Sequence, residues 1–224
     1  MNKGTIIFDF DSTLIKDESF ELMLENKLKK NPQILEKIKS ITDKGMNGEV
    51  SFEDSVLARF QLACPSLEDI DRFIKNNLPS RLSDGIKNLC DQLIKDNFDL
   101  WIVSGGLKKA IMPFAQYLNI KKERVIALEG LWDDKGQFLK IKKTPSLESK
   151  VQALEEILPQ LKKPIIAIGD GFTDYQLYEA KIANYFILYT EHQKREKVYN
   201  LAKIKANSVK VLKAQIEKVI NQIN

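Results

Sequence analysis

The sequence has few of the features that mark secreted or membrane proteins. Only two of its 224 residues are cysteines, Cys64 and Cys90, and their spacing matches no disulfide framework. No apolar run approaches the ~20 residues of a membrane-spanning helix, and the N-terminal stretch lacks the apolar segment of a signal peptide. We therefore expect a soluble, cytoplasmic protein with free thiols and no membrane partner.

Histidine and excess charge are equally scarce. His192 is the single histidine, and it has no partner at the spacing of metal ligands, so we expect it in a loop or at a helix start. The 35 basic and 31 acidic residues give a net charge of only +4. The lysines lie on helical stretches without interleaved aromatic residues, which is typical of a solvated helix face and not of a nucleic-acid-binding surface. Lys194 and Arg195 are likewise predicted to be surface charges.

Alternating strand and helix patterns fill most of the chain. Ile6–Phe8 is apolar and β-branched and predicts a buried strand. Four further strands are predicted at residues 100–103, 125–128, 165–168 and 185–188, the last of these being the final strand, and residues 132–141 predict a β-hairpin. Helices predicted between them include one at about 147–161, and a C-terminal helix follows from about residue 213. This alternation favours an α/β fold, a Rossmann-like doubly wound parallel sheet with right-handed crossovers.

One segment breaks the alternation. From about residue 16 to residue 79 no strand pattern occurs, and apolar residues recur at helical spacing. Ser51 with Asp54 and Ser66 with Asp69 have the spacing of capping boxes that open two of these helices. The sequence thus predicts an α/β core of residues 1–15 and 80–224 with a small helical cap, residues 16–79, inserted over the sheet.

Polar or glycine-rich segments follow three of the predicted strands. They are Asp9-Phe10-Asp11, Ser104-Gly105-Gly106 and Gly169-Asp170-Gly171-Phe172-Thr173-Asp174. In open α/β sheets ligands bind beyond the carboxyl ends of the strands, where these segments would converge.

The residues in these segments are suited to an anionic ligand and a metal. Side chains alternate along an extended chain, so Asp9 and Asp11 should share one side, and two such carboxylates need a cation or a proton. With Asp170 and Asp174 they supply the hard oxygen ligands that suit Mg²⁺. The amides after Ser104, at a predicted helix start, form a candidate anion site.

Together with Lys150, these segments resemble the four motifs of the haloacid dehalogenase superfamily of phosphatases, in order and over nearly the whole chain. The resemblance implies Mg²⁺-dependent hydrolysis of a small phosphomonoester through an aspartyl-phosphate. It implies that Asp9 is the nucleophile and that Asp11 is the general acid and base. Ser104, Gly105 and Lys150 would bind the phosphoryl oxygens.

The same resemblance implies a ligand set for the metal. Asp9, Asp170 and the main-chain carbonyl of Asp11 would hold Mg²⁺, and Asp174 would bind a metal-bound water. The position of the helical insertion, between the first and second motifs, resembles the branch of the superfamily with a small helical cap.

The spacing of Glu18, Met46, Phe52 and Arg59 resembles the substrate-binding cap of the phosphoserine phosphatases. In that family the matching glutamate and arginine hold the amino and carboxylate groups of phosphoserine. The chemistry agrees, because a zwitterion entering a dry cleft needs one anion and one cation, and arginine offers a bidentate fork for a carboxylate. Met46, between two glycines, is expected in a loop, and it and Phe52 would line the closed pocket.

Three alternatives remain at this point. The substrate could be phosphocholine, a sugar-acid phosphate or a methionine-salvage intermediate, although a quaternary ammonium would call for an aromatic cage instead of an acid and an arginine. The aspartyl-phosphate could be transferred to an alcohol acceptor instead of water. The chain could instead be a phosphoacceptor signalling module, which the acid–base group at Asp11 disfavours.

Overall fold

The computed structural model describes residues 3–29 and 31–222 and has a parallel six-stranded sheet at its centre. The strands are β1 (Gly4–Phe8), β2 (Phe98–Leu107), β3 (Val125–Leu128), β4 (Gly130–Trp132), β5 (Phe138–Ile141), β6 (Ile165–Gly169), β7 (Tyr185–Tyr189) and β8 (Ile204–Ala206). Strands β4 and β5 form a separate antiparallel hairpin. The other six lie in the order β3-β2-β1-β6-β7-β8, which confirms the predicted doubly wound parallel sheet.

Helices precede, separate and follow these strands. They are α1 (Ser19–Met23), α2 (Glu25–Leu28), α3 (Pro32–Met46), α4 (Phe52–Ala63), α5 (Leu67–Asn77), α6 (Ile86–Lys95), α7 (Lys108–Tyr117), α8 (Pro145–Glu148), α9 (Lys150–Glu155), α10 (Phe172–Glu179), α11 (Glu196–Leu201) and α12 (Val209–Asn221). Helices α1 to α5, here called the helical insertion, all lie between β1 and β2. Among the described residues, no helix is both long and apolar enough to cross a membrane.

The sheet is buried on both faces because its strands are apolar at successive positions. Along β1 the side chains alternate, so that Ile6 and Phe8 join one hydrophobic cluster and Ile7 joins the other. The first cluster packs under α6, α7, α12 and the helical insertion, and the second packs under α9, α10 and α11. The chain winds outward from β1 in both directions, so the switch point of the sheet lies between β1 and β6.

Aromatic contacts fix the helical insertion to the rest of the chain. Phe73 of α5 stacks on Phe114 of α7 with ring centroids 5.5 Å apart, and Phe114 meets Phe10 edge-on at 5.3 Å. On the hairpin, the Trp132 indole N–H donates to the Pro65 carbonyl at 3.0 Å. The chain enters and leaves the insertion at a bridge between Ile15 and Leu82.

The structure corrects several predicted elements. The single helix expected at 147–161 is two short helices, α8 and α9, which are separated by the extended residue Ser149. The last strand is β8 and not β7, and α12 begins at Val209 and not at residue 213. Met46 ends α3 and is not in a loop.

Other local predictions are confirmed in full or in part. Ser66 and Asp69 form a full capping box at α5. The Ser51 hydroxyl caps α4 by accepting from the Asp54 amide, but the Asp54 carboxylate accepts from the Ser51 hydroxyl and not from its amide, so this pair is a cap and not the predicted box. The division into a core (1–15 and 80–224) and a cap (16–79) stays a prediction, and residues 1, 2, 30, 223 and 224 lie outside the described residues.

We expect Phe114→Ala to lower the free energy of unfolding by about 3–5 kcal/mol, because it removes a fully buried ring that joins Phe10, Phe73 and α7. Tyr117→Ala, on the same helix but with its side chain 42% exposed, should cost about 1 kcal/mol or less. Urea unfolding of the two variants checks the comparison. Equal losses would contradict this account of the insertion's anchor.

Candidate active site

Asp9 lies directly beyond β1, at the switch point of the sheet. Its amide donates to the Ile168 carbonyl of β6 at 2.9 Å, which extends the strand pairing and fixes the main chain. Its Oδ1 accepts from the Phe10 amide at 2.7 Å and lies 2.8 Å from the Lys150 ammonium. The other oxygen, Oδ2, is buried and has no hydrogen-bond partner among the described residues. The carboxylate is therefore held firmly on one side and free on the other.

A tight turn at residues 10–14 brings Asp11 back beside Asp9. The Ile15 amide closes the turn on the Phe10 carbonyl at 3.0 Å, and Ser12 takes a left-handed φ of 51°. Asp11 Oδ1 accepts from the Ser19 amide at 2.7 Å. Burial and the nearby charge of Asp9 raise the pKa of Asp11 to about 7. Both aspartates line the same pocket, as expected, but this turn and not simple strand alternation puts them there.

Lys150 supplies the cation between the carboxylates. It begins α9, where the break at Ser149 interrupts the helix, and its side chain is 3% exposed. The ammonium lies 2.8 Å from Asp9 Oδ1 and 2.6 Å from Asp174 Oδ1. Burial disfavours the charged form, but attraction to Asp174 and Asp9 outweighs burial and raises the pKa of Lys150. Lys150 therefore stays charged and fixes both carboxylates.

Asp170 and Asp174 complete the acidic group beyond β6. Asp174, in the first turn of α10, accepts from the Gly171 amide at 3.2 Å through Oδ2. A Cβ at Gly169 would lie 2.2 Å from Asp174 Cγ, so only glycine allows this approach. Asp170 is fully buried, and its Oδ1 has no hydrogen-bond partner in the part of the chain that the structure describes. Burial is the main cause that raises the pKa of each of these carboxyls to about 7. For Asp170 the negative charges of Glu18 and Asp9 add to it. For Asp174 the negative charges of Asp9 and Asp170 do so.

These residues fit a divalent cation. Carboxylate oxygens of Asp9, Asp170 and Asp174 lie within 4.8 Å of one another. Asp9 Oδ2 and Asp170 Oδ1 are buried and unpartnered, an arrangement that is costly without a positive charge between them. Hard oxygen donors of this kind suit Mg²⁺. That the main-chain carbonyl of Asp11 is a metal ligand stays a prediction. Oδ1 of the Asp11 side chain accepts a hydrogen bond from the Ser19 amide.

The glycine-rich segment lies differently from its prediction. Strand β2 continues through Gly105 and Gly106 to Leu107, and α7 begins only at Lys108, so these amides belong to a strand end and not to a helix start. Gly105 lines the pocket and a Cβ there would lie 2.7 Å from the Phe52 ring. The Ser104 hydroxyl is buried and accepts from the Gly106 amide at 3.0 Å.

The pocket itself is almost closed. Its free volume is about 20 Å³, about the room that one water needs. The helical insertion forms one wall and the strand ends form the other. The lining residues are Asp9, Asp11, Glu18, Thr42, Gly45, Met46, Phe52, Ser55, Arg59, Gly105, Lys150 and Thr173. Glu18, Met46, Phe52 and Arg59, the four residues expected to bind substrate, are therefore all brought to the pocket.

Glu18 and Arg59 face this pocket with unequal partners. Glu18 Oε1 accepts from the Ser12 hydroxyl at 2.9 Å, and burial followed by the charge of Asp11 raises its pKa to about 8. Arg59 donates to the Ser55 carbonyl at 3.3 Å and to the Thr42 hydroxyl at 3.5 Å. None of the ion pairs within residues 3–29 and 31–222 includes Arg59. A partly buried guanidinium that no described carboxylate contacts, although the charges of Glu18, Asp11 and Glu21 act on it, is suited to receive an anionic ligand.

Arg195 is the site residue that sequence reasoning missed. It was expected on the surface, yet its side chain is 4% exposed and its Nε donates to Asp170 Oδ2 at 2.9 Å. A mixed-charge run such as Lys194–Lys197 carries no sequence signal that distinguishes its one buried member. His192, predicted in a loop or at a helix start, lies in a loop, and its Nε2 is 2.8 Å from the Ser83 hydroxyl, outside the pocket.

Comparisons with known proteins agree with this site. The family model described as haloacid dehalogenase-like hydrolase matches residues 6–179. A chloroplastic phosphoserine phosphatase of Arabidopsis thaliana is 33% identical over 197 residues, which cover 86% of this chain and 65% of that protein. The human phosphoserine phosphatase is 30% identical over 177 residues, covering 76% and 75%. This chain thus spans about two thirds to three quarters of the length of these relatives.

A solved structure is more similar. The crystal structure of a phosphoserine phosphohydrolase-like protein from Francisella tularensis subsp. tularensis SCHU S4 superposes with a TM-score of 0.93 and 46% identity, covering 96% of this chain and 100% of that one. The family match takes in Asp9, Asp11, Lys150, Asp170 and Asp174, which confirms the resemblance inferred from the motifs. The chain belongs to the haloacid dehalogenase-like hydrolases.

Proposed function

We propose that this protein is a Mg²⁺-dependent phosphomonoester hydrolase that forms an aspartyl-phosphate at Asp9 and acts on L-phosphoserine, releasing L-serine for serine biosynthesis. The observation that carries the reaction is the pair Asp9 and Asp11 in one closed pocket with Lys150. The first is a fixed carboxylate with a free oxygen, and the second is a carboxyl with a pKa near neutrality. The relatives' names support the same reaction.

The chemistry takes two displacements. The Asp9 carboxylate attacks phosphorus, the bond from phosphorus to the ester oxygen breaks, and the leaving oxygen takes the proton of Asp11. The Asp11 carboxylate then accepts a proton from water, whose oxygen attacks the phosphorus and releases phosphate and the Asp9 carboxylate. Lys150 offsets negative charge on the phosphoryl oxygens, and Ser104 and the Gly105 amide would donate to them.

Mg²⁺ would be held by Asp9, Asp170 and the Asp11 carbonyl, with Asp174 holding a water on it. When bound, it neutralises part of the charge that arises when a phosphoryl dianion enters a pocket of carboxylates. Asp174 already bonds Lys150 and the Gly171 amide, which is consistent with an indirect part.

The substrate assignment rests on Glu18 and Arg59. Arg59 is partly buried and forms no ion pair with any residue that the structure describes, so it is suited to bind the substrate carboxylate. Glu18 lies across the pocket with one oxygen on Ser12, and it would receive the substrate ammonium. Phosphocholine lacks a carboxylate for Arg59, and Phe52 is a single aromatic ring among the described lining residues, which is no cage.

The cellular location follows the sequence expectation. We place the protein in the cytoplasm, as expected from its sequence, whereas the Arabidopsis relative is chloroplastic. We also keep the expectation of a small phosphomonoester as the partner of the site, with no nucleic acid and no membrane.

Replacing the nucleophile should abolish turnover without unfolding the chain. Asp9→Asn keeps the shape and the hydrogen bond from Phe10, so we expect a loss on the order of 10³-fold or more in kcat. Phosphate release and circular dichroism measure the two effects. Asp91→Asn, an exposed carboxylate of α6, is the control and should leave kcat unchanged. Wild-type-like activity in Asp9→Asn would refute the mechanism.

The acid should impose a pH limit on the first half-reaction. Burial and the charge of Asp9 raise the pKa of Asp11 to about 7, so its carboxyl holds the required proton below that pH and loses it above. We expect kcat/KM for L-phosphoserine to fall as pH rises through about 7. Asp11→Asn should lose roughly 10²–10⁴-fold in activity, and its residual rate should lack this decline. A decline that persists in Asp11→Asn belongs to another group.

A substrate panel tests the assignment directly. Phosphate release from L-phosphoserine, phosphoethanolamine, phosphocholine, phosphothreonine and sugar phosphates is measured with and without Mg²⁺. Arg59→Ala should lower kcat/KM for L-phosphoserine about 10²-fold, roughly 2.8 kcal/mol, and change it little for phosphoethanolamine, which has no carboxylate. Arg72→Ala, at a half-buried arginine of α5 that pairs with Glu68 and Asp69 and does not line the pocket, is the matched control.

The outcomes separate the alternatives. If the enzyme prefers another ester, or if Arg59→Ala leaves kcat/KM for L-phosphoserine unchanged, the proposed reaction stands but the assignment of phosphoserine as the substrate is wrong. If no ester is hydrolysed in the presence of Mg²⁺, the proposal of a metal-dependent phosphomonoester hydrolase is wrong.

A further inference from the structure

Arg195 makes three acidic contacts that join separate parts of the chain. Its Nε donates to Asp170 Oδ2 at 2.9 Å, its Nη1 donates to Asp43 Oδ1 at 3.0 Å, and its Nη2 lies 3.6 Å from Glu18 Oε1. Asp170 belongs to the strand end, Asp43 to α3 of the helical insertion, and Glu18 to the segment that enters the insertion. One guanidinium thus spans the boundary between insertion and sheet.

The contact with Asp170 is on the side away from the unpartnered oxygen. Arg195 bonds Oδ2, while Oδ1 remains without a hydrogen-bond partner in a fully buried carboxylate. The same division occurs in Asp9, whose Oδ1 is bonded by Phe10 and Lys150 and whose Oδ2 is unpartnered. In each case a cation holds one oxygen and so fixes the direction of the other. Arg195 does for Asp170 what Lys150 does for Asp9.

The contact with Asp43 depends on the position of the insertion. Asp43 lies in the last turn of α3, and its side chain is 59% exposed. Around it the end of α3 closely meets α10 and α11, which pack on the sheet: the Lys197 ammonium of α11 donates to the Asn47 carbonyl at 2.8 Å, and a Cβ on Gly48 would lie 2.5 Å from the Phe172 ring of α10. Any movement of this end of α3 away from the sheet separates Asp43 from Arg195.

We propose that Arg195 is a positioning residue, which holds Asp170 in the orientation that a divalent cation needs and does so most firmly when the end of α3 is seated against the sheet. The inference rests on the proposed function in so far as it takes the cation to lie beside Asp9 and Asp170. The closed position of the insertion and the orientation of the Asp170 carboxylate for a cation would then be coupled through the Arg195 side chain.

The rival interpretation is that Arg195 competes with the cation for Asp170. The two make opposite predictions. If Arg195 positions Asp170, removal of the guanidinium lets the carboxylate turn and weakens cation binding, whereas under competition removal strengthens it. Three carboxylates share this one positive charge, which leaves Asp170 with attraction for a further cation.

The test is calorimetric titration of the substrate-free, full-length protein with MgCl₂, beside steady-state kinetics. Arg195→Gln should raise the Kd for Mg²⁺ roughly 10- to 100-fold. Arg195→Lys keeps the charge but cannot reach Asp170 and Asp43 together, so it should recover only part of that affinity. The control is Arg124→Gln, which breaks the half-buried ion pair between Arg124 and Asp99, 2.6 Å long, at the opposite edge of the sheet. This variant should bind Mg²⁺ as the wild type does.

The coupling to the insertion is tested by Asp43→Asn. We expect it to raise KM for L-phosphoserine several-fold with a smaller change in kcat, and to add nothing further in the Arg195→Gln background. Independent, additive effects would overturn the coupling. If Arg195→Gln does not fold, as judged by circular dichroism, Arg195→Lys and Asp43→Asn carry the test.

Unchanged or tighter Mg²⁺ binding by Arg195→Gln, with wild type binding normally, overturns this inference and leaves the proposed function intact. Absence of Mg²⁺ binding by the wild type overturns the metal dependence in the proposed function and this inference with it. Because the titration uses no substrate, a wrong choice of ester affects neither reading.

Discussion

The burial of five carboxylates, three that line one small pocket and two behind it, is the constraint on which the rest of this structure depends. Asp9, Asp11, Glu18, Asp170 and Asp174 are opposed by three cations, Lys150, Arg59 and Arg195. With every group ionised the balance is two negative charges, which one divalent cation would neutralise. Without such an ion, burial and mutual repulsion raise the pKa values of Asp11, Asp170 and Asp174 to about 7 and that of Glu18 to about 8. The pocket is therefore built to take up positive charge or protons.

Two local features of the chain bring charged side chains to this site. The helix break at Ser149 puts Lys150 at the start of α9, where its ammonium reaches both Asp9 and Asp174. Glycine at position 169 leaves room for the Asp174 carboxylate against the end of β6. Both features are found where a charged side chain is directed into the protein.

The same physics decides which parts of the site a sequence can predict. Asp9, Asp11, Asp170 and Asp174 follow apolar strands, and the ends of parallel strands must meet, so their convergence could be inferred. The helix predicted through residue 149 hid the break, and the family resemblance, not periodicity, singled out Lys150. Arg195 had no local signal, because its burial results from contacts with Asp170 and Asp43, which are 25 and 152 residues away in the chain. Strand β8 and helix α11, of 3 and 6 residues, were too short to give a periodic pattern.

The insertion is held to the sheet by two kinds of contact, and their difference limits how it can move. On the side of α5 the contacts are apolar: Phe73 stacks on the buried Phe114, and residues of the insertion share one hydrophobic cluster with the sheet. At the end of α3 they include the Arg195–Asp43 ion pair and the bond from Lys197 to the Asn47 carbonyl, which can part into water, beside the close approach of Gly48 to the Phe172 ring. A pocket of about 20 Å³ must open to admit a phosphomonoester. We therefore expect opening at the end of α3 with the aromatic side as pivot, so that the contact broken first is the one through which Arg195 holds Asp43.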